Sequence, residues 1–262
     1  LGPGLIARNT GIAQTVTISG LELRGGFLFD ACRGSLQVQD VVVPQPPAAA
    51  QPAGLAFHFW GQCGIGESTQ TVRQCDRVSF TGCTLHGAHG MTAGWDGTPG
   101  EHGLHVLHSQ VALFDCVLTG GHGGDPLTGV HPPVYGGAGG DGLHVVGPSS
   151  SVVVDRLQAT GGVGYVPVQW GEIAGCDGQP IREEVPGTAH LVTSPTLAFD
   201  VQPLFRAGVP AQATVTGNAG ALIVLVSGET PGWRPLGTFA GTLLVGTPLR
   251  VSVLGNIPAG GV

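Results

Sequence analysis

Val111-Ala112-Leu113-Phe114-Asp115-Cys116-Val117-Leu118 carries apolar residues at its first, third, sixth and eighth positions. Strand side chains alternate between faces, so the first and third positions share one face. The sixth and eighth share a face too, but one residue out of phase, which requires a bend near the fifth position between two short strands. Four other segments overlay on this one: Val16 to Leu23, Leu36 to Val43, Val78 to Leu85, and Val152 to Ala159. Four of the five run on into glycine, at Gly25-Gly26, Gly87, Gly120-Gly121 and Gly161-Gly162. Upstream of each lies a short glycine-led apolar strand, beginning at Leu5, Phe27, Leu55, Leu104 and Leu143, so that spacings of 22, 28, 49 and 39 residues separate the starts.

A recurring unit of this length with strand periodicity marks stacked coils. The expected fold is all-β: a right-handed parallel β-helix, or solenoid, over residues 1–195. The minimal coil is about 20 residues, as a three-sided rung requires, and the excess is loop, at 44–53, 61–75, 87–102 and 120–141. These loops leave from few corners and should cluster on one side, where any function would sit. From Thr196 the Gly-Gly corners stop. Strands are expected at Pro203–Arg206, Gln212–Thr216, Ala221–Val226, Gly241–Val245 and Leu249–Leu254, making 196–262 a small β-sandwich-like module, completed by a partner if it is incomplete. Ala221 to Val226 is continuously apolar, as in a strand buried on both faces.

Composition agrees with an almost wholly β chain of 262 residues: 47 glycines and 20 prolines supply turns, and charged residues are only 10%. No stretch approaches the roughly 18 apolar residues that span a bilayer. Net charge is −7 with no lysine, and the arginines are scattered, so a nucleic-acid groove, which needs a basic stripe, is excluded. The chain begins at Leu1 and is read as a processed or truncated piece.

Cys83 and Cys116 fall in one inward column with Leu21, Val41 and Leu157, as small core residues or as a cross-coil bridge. Cys63 and Cys75 bracket a loop and are the disulfide candidates. No Cys-x-x-Cys pair exists, which removes a zinc ribbon. His105 and His144 share a column between inward residues and are expected to point outward, with His190 extending the ladder. Together with Asp141 they are the metal candidates, since residues on neighbouring coils lie close enough to share an ion. His89 and His122 share a second column. The spacing of His102, His105 and His108 throws them to alternating faces, so they are not expected to form one site. Gly136-Gly137-Ala138-Gly139-Gly140-Asp141-Gly142-Leu143-His144 fits the calcium nonapeptide once, whereas that site needs stacked copies. Calcium is therefore a possible cofactor, with Asp96, Glu101 and Asp125 as further oxygen donors, and the reading favours none.

Rungs of the form Asp-Gly-Leu-x-Val, Ser-x-Val-x-Val-x-x-Cys/Leu and Gly-Gly-x-Gly-Gly resemble the pectin-lyase-like superfamily, in particular its glycine-rich extracellular bacterial members, over about residues 1–200. The resemblance implies the β-helix fold and an extracellular or cell-surface location. The tail resembles the β-rich segments that follow such helices. Activity does not follow from it. Gly121-His122-Gly123 matches one element of the polygalacturonase-like set, but no Asp-Asp pair and no lysine accompany it. The catalytic candidates reduce to His122, Asp125 and Asp141, with Asp115 and the Asp155–Arg156 neighbourhood near in sequence only. The expected function is structural: a self-associating shaft, coat or fibre subunit, forming a homo-oligomer or filament. The alternatives are a glycan-binding module, and a polysaccharide lyase or glycoside hydrolase using loops 87–141.

Overall fold

The computed structural model describes residues 4–45, 68–93, 96–126, 134–167 and 172–191, and, further on, 198–201, 213–216, 220, 222–228, 231–235, 242–245 and 248–256. The chain divides into two compact units, Leu1–Leu191 and Val192–Val262. Among the described residues every regular element is a strand, and the sheets of the first unit are almost all parallel.

Three parallel sheets carry the first unit. The first contains Leu5–Arg8, Phe27–Asp30, Gln70–Arg73, Leu104–Leu107, Leu143–Val146 and Ile181–Glu183, in that order. The second contains Thr15–Ser19, Ser35–Gln39, Arg77–Thr81, Gln110–Phe114, Ser151–Asp155 and Ala189–Leu191. The third contains Val42–Val43, Thr84–His86, Val117–Thr119 and Gln158–Thr160. Successive passes of the chain lay one strand in each sheet, and register is kept: Val78, Val111 and Val152 are partners, as are Phe80, Leu113 and Val154.

The phase slip in the eight-residue segments has a backbone cause. Their fifth residues, Gly20, Asp40, Gly82, Asp115 and Arg156, all have positive φ, from 51° to 64°. One left-handed residue turns the chain from the second sheet into the third without hydrogen-bonded turn structure. A like column, Asn9, Ala31, Gln74, His108 and Gly147, turns it from the first sheet into the second, with φ from 46° to 86°. Non-glycine residues pay about 1–2 kcal/mol for this conformation, least for Asn and Asp. The inward residues form one core in which Phe27, Phe29 and Phe80 stack at centroid separations of 4.7, 5.6 and 6.2 Å. That core is half-open at the first pass, where Leu5, Ala7, Val16 and Ile18 are only partly buried, while their register partners Phe27, Phe29, Leu36 and Val38 are fully buried.

The third strand of the first sheet is not the expected one. Leu55 lies outside the described residues, and the register position beside Phe27–Asp30 belongs to Gln70–Arg73, so 61–75 is not wholly loop. Gln70 occupies the inward site opposite Phe27, where its Nε2 donates to His86 O at 2.7 Å.

The segments expected as loops after the third sheet are instead a hydrogen-bonded slab. Outgoing legs at 87–91, 120–125 and 161–165 run beside one another, joined by Gly90 N–H to His122 O at 2.7 Å and Gly123 N–H to Val163 O at 2.9 Å. Return legs at 97–103, 136–142 and 175–179 do the same, through Gly100 N–H to Ala138 O at 2.8 Å and Gly139 N–H to Cys176 O at 2.8 Å. Between the layers, Gly121 N–H donates to Glu101 O, Gly140 N–H to Gly121 O and Gly162 N–H to Gly140 O, each at 2.8 Å. Within each leg the donors recur every third residue, the repeat of a polyproline-II helix, which has no internal hydrogen bonds and offers its groups to neighbours. Two residues of every three meet a neighbouring backbone. At Gly121 an added Cβ would lie 1.8 Å from Ala88 O, and at Gly140 it would lie 2.0 Å from Glu101 O. Glycine is therefore required twice in three in legs flanked on both sides, as in Gly120-Gly121-His122-Gly123-Gly124-Asp125, where the third residues His122 and Asp125 are exposed.

In the second unit, antiparallel pairing joins Ala198–Val201 to Ala213–Thr216, Leu222–Gly228 to Leu249–Asn256, and Pro231–Pro235 to Thr242–Val245. Ala198–Val201 and Pro231–Pro235 were not expected as strands, and Pro203–Arg206 lies outside the described residues. Val224 is 41% exposed, so the apolar run is not buried on both faces.

Candidate metal centre

Return legs lead directly into the first sheet, and the residues at that junction converge. His102 ends one leg and Asp141 the next, held side by side by Gly103 N–H to Asp141 O at 2.9 Å. One strand step on, His105 and His144 are register partners with stacked rings 5.0 Å apart. His102 lies 4.5 Å from the His144 ring and 5.5 Å from the His105 ring, both between centroids. His102, Asp141 and His144 are at most 2% exposed, and His105 is half-buried. Their ligand-type atoms lie within 4.8 Å of one another, forming the one such triple of His, Cys, Asp or Glu among the described residues.

Hydrogen bonding fixes the protons. Asp141 N–H donates to His102 Nδ1 at 2.9 Å, which leaves that ring's proton on Nε2. The 3.0 Å contact from His102 Nε2 to His144 Nδ1 is then donated by His102, which puts the proton of His144 on its own Nε2 as well. Both rings thus hold an unprotonated Nδ1. Burial, reinforced by neighbouring imidazoles and Arg182, pushes His102 down to about 2 and His144 to about 4, and burial alone takes His105 to about 4. All three imidazoles are neutral at pH 7. Asp141 Oδ1 accepts from Gln179 N–H at 2.8 Å, while its Oδ2 is buried without a hydrogen-bond partner, as are His144 Nε2 and His105 Nε2. Such orphans cost about 1–3 kcal/mol each and mark a place where something else binds or bridges.

The expected sites separate. His105 and His144 do not face solvent, and their column continues to Arg182, because His190 is the register partner of Val153 in the second sheet. His102 does join His105, contrary to their spacing along a strand, because the corner at Gly103 ends the leg before strand alternation begins. His108 stays apart, exposed and bonded to Ser149 Oγ at 3.0 Å. Calcium does not fit here, since the neighbours of Asp141 are imidazoles and not oxygens. Asp96 accepts from Tyr135 N–H at 2.9 Å, and Glu101 accepts from Thr69 N–H at 3.2 Å and its hydroxyl at 2.8 Å, both bracing the slab.

His122 and Asp125, without Asp141, line a shallow cleft of about 380 Å³ with Val163, Tyr165 and Val166. His89 and His122 stack 4.6 Å apart, and each Nδ1 accepts the backbone N–H of the next leg, His122 N–H at 2.7 Å and Val163 N–H at 2.9 Å. Asp115 pairs with Arg156 on the outer face. Cys75 is a free, buried thiol, so the expected staple to Cys63 is not made; Cys63 itself lies outside the described residues. The site of Cys75 follows from its place in a corner column, where Ser109 Oγ accepts Cys75 N–H at 3.0 Å. Cys32, Cys83 and Cys116 are likewise free, whereas Cys176 is disulfide-bonded.

Comparison with protein-family models, with curated proteins and with solved structures finds no match.

Proposed function

We propose that this chain is an extracellular or cell-surface structural protein: a right-handed parallel β-helix of the pectin-lyase-like kind, serving as a shaft, coat or fibre subunit that associates with its own copies. The handedness rests on the general preference of parallel crossovers. The observation that carries the functional reading is the glycine slab. Backbone bonds recurring every third residue knit the legs after the third sheet into one close-packed layer, with Cβ clearances near 2 Å. The catalytic candidates do not assemble, because Asp141 is enclosed with His102 and His144 while His122 and Asp125 lie at the outer cleft. The disulfide at Cys176 accords with an oxidising compartment. The first pass can take a further strand layer: its inward residues are half-buried, and the outer edges of Leu5–Arg8 and Thr15–Ser19 have no partner strand among the described residues. Strands of upstream chain or of a second copy would close both.

Light scattering across a hundredfold concentration range tests this, together with a panel of uronate and neutral polysaccharides. Concentration-dependent growth in mass without turnover is expected. Strict monomers that cleave a polysaccharide would overturn it. Saturable glycan binding without turnover would favour the second reading, a glycan-binding module. The cleft supports that one, since it sets the fixed His122 Nε2–H donor and the Asp125 carboxylate beside exposed Val163 and Val166.

A further inference from the structure

We infer that His102, Asp141 and His144 bind one divalent transition-metal ion of the zinc class, through His102 Nδ1, His144 Nδ1 and Asp141 Oδ2. The nitrogen–oxygen separations are near those an ion needs, and the three ligand groups lie within 4.8 Å of one another. The two Nδ1 atoms lie 3.4 and 3.9 Å from Asp141 Oδ2. Bonds of about 2.0–2.1 Å at tetrahedral angles put ligand atoms about 3.3–3.4 Å apart, and wider angles put them up to about 4.1 Å apart. The proton positions suit it too. Both rings already carry their proton on Nε2, so neither Nδ1 loses a proton on binding. Those lone pairs accept Asp141 N–H and His102 Nε2–H, and a turn of the His102 ring exchanges these two bonds for the ion.

The ion also accounts for two of the three orphaned atoms. Asp141 Oδ2, buried and unbonded, becomes a ligand. His144 Nε2–H, equally unbonded, has Glu184 Oε1 at 3.7 Å, the outer carboxylate that commonly orients a ligating imidazole. Two imidazoles and one carboxylate favour zinc, cobalt or nickel over calcium or magnesium. The consequence is mechanical: one ion ties two return legs, through His102 and Asp141, to the first sheet, through His144. It acts as a clamp for the slab and is not a hydrolytic centre, since the site is buried.

The test uses untagged full-length protein stripped with chelator and titrated with Zn2+ or Co2+ by calorimetry, with metal content measured after dialysis. One ion per chain is expected, with a rise in melting temperature. Asp141→Asn and His144→Gln should weaken binding at least a hundredfold and Glu184→Gln about tenfold, while His108→Gln should leave it unchanged. Because the cluster is buried and its variants can misfold, X-ray absorption of the zinc-loaded wild type provides an independent readout. It should show two imidazole ligands and one or two oxygens at about 2.0–2.1 Å. Substoichiometric binding, a first shell without histidine pairs, or binding unaffected in folded Asp141→Asn and His144→Gln would overturn the assignment.

Discussion

Gly121→Ala should cost this protein a large part of its stability, although it adds one methyl group far from the hydrophobic core. The new Cβ would lie 1.8 Å from Ala88 O, and real contacts are essentially never shorter than 3.0 Å, so the legs must part by about 1.2 Å. The bonds at stake are Gly121 N–H to Glu101 O and Glu101 N–H to Ala88 O, both 2.8 Å. Stretched by that amount, each passes the range of a hydrogen bond. Two lost bonds contribute about 2 kcal/mol and steric overpacking about 1–3 kcal/mol. The lower conformational entropy of the unfolded alanine chain offsets about 0.4–1 kcal/mol of that loss. The net loss is about 2–4 kcal/mol, which for a unit of this size lowers the melting temperature by roughly 5–15 °C. Gly11→Ala is the control. Its Cβ meets only the Gln14 side chain, nearest at Oε1, 3.6 Å away, and about 0.5 kcal/mol or less is expected. Calorimetry of both variants decides: equal melting temperatures would refute the close-packed slab.

Phe80→Ala, which removes a fully buried ring stacked on Phe27 and Phe29, should cost about 3–5 kcal/mol; a shift below 1 kcal/mol in urea unfolding would place the core elsewhere. In denaturant without reductant, Cys32, Cys75, Cys83 and Cys116 should alkylate at once and Cys176 only after reduction. Peptide mapping that finds Cys75 protected until reduction would restore the loop staple. His89 is held below the usual imidazole range by burial and by His122. A depressed histidine is neutral in the folded state while the unfolded chain protonates near pH 6.5, so stability present above that pH is lost as pH falls below it. His89→Asn keeps an acceptor for His122 N–H without titrating, and should flatten the decline in melting temperature between pH 7 and 5; an unchanged slope would contradict the neutral acceptor role.

The parallel ladder was legible because its signal is local. Apolar residues at positions 1, 3, 6 and 8 report two strands and a bend, and the fifth residue proves to be the left-handed corner in every copy. The third strand of the first sheet escaped because Gln70, a polar residue, fills an apolar column position, where a long insertion also breaks the spacing and offers the more hydrophobic Leu55. The slab was visible only as composition. Gly120-Gly121-His122-Gly123-Gly124-Asp125 and Gly136-Gly137-Ala138-Gly139-Gly140-Asp141 repeat with period three, but the second also fits a calcium motif, and strand and helix periods do not register a three-residue helix. With the legs taken as loops, His102 had no fixed partner. A period-three reading aligned across legs would have set His102 beside Asp141, and so beside His144. Cys75 misled because proximity in sequence suggests a staple, whereas its position is decided by a corner column.

Self-assembly is the central claim, and electron microscopy of the purified protein over a wide concentration range tests that claim most directly. The account predicts filaments or a regular array built from copies of this chain. Isolated single particles at every concentration would contradict it.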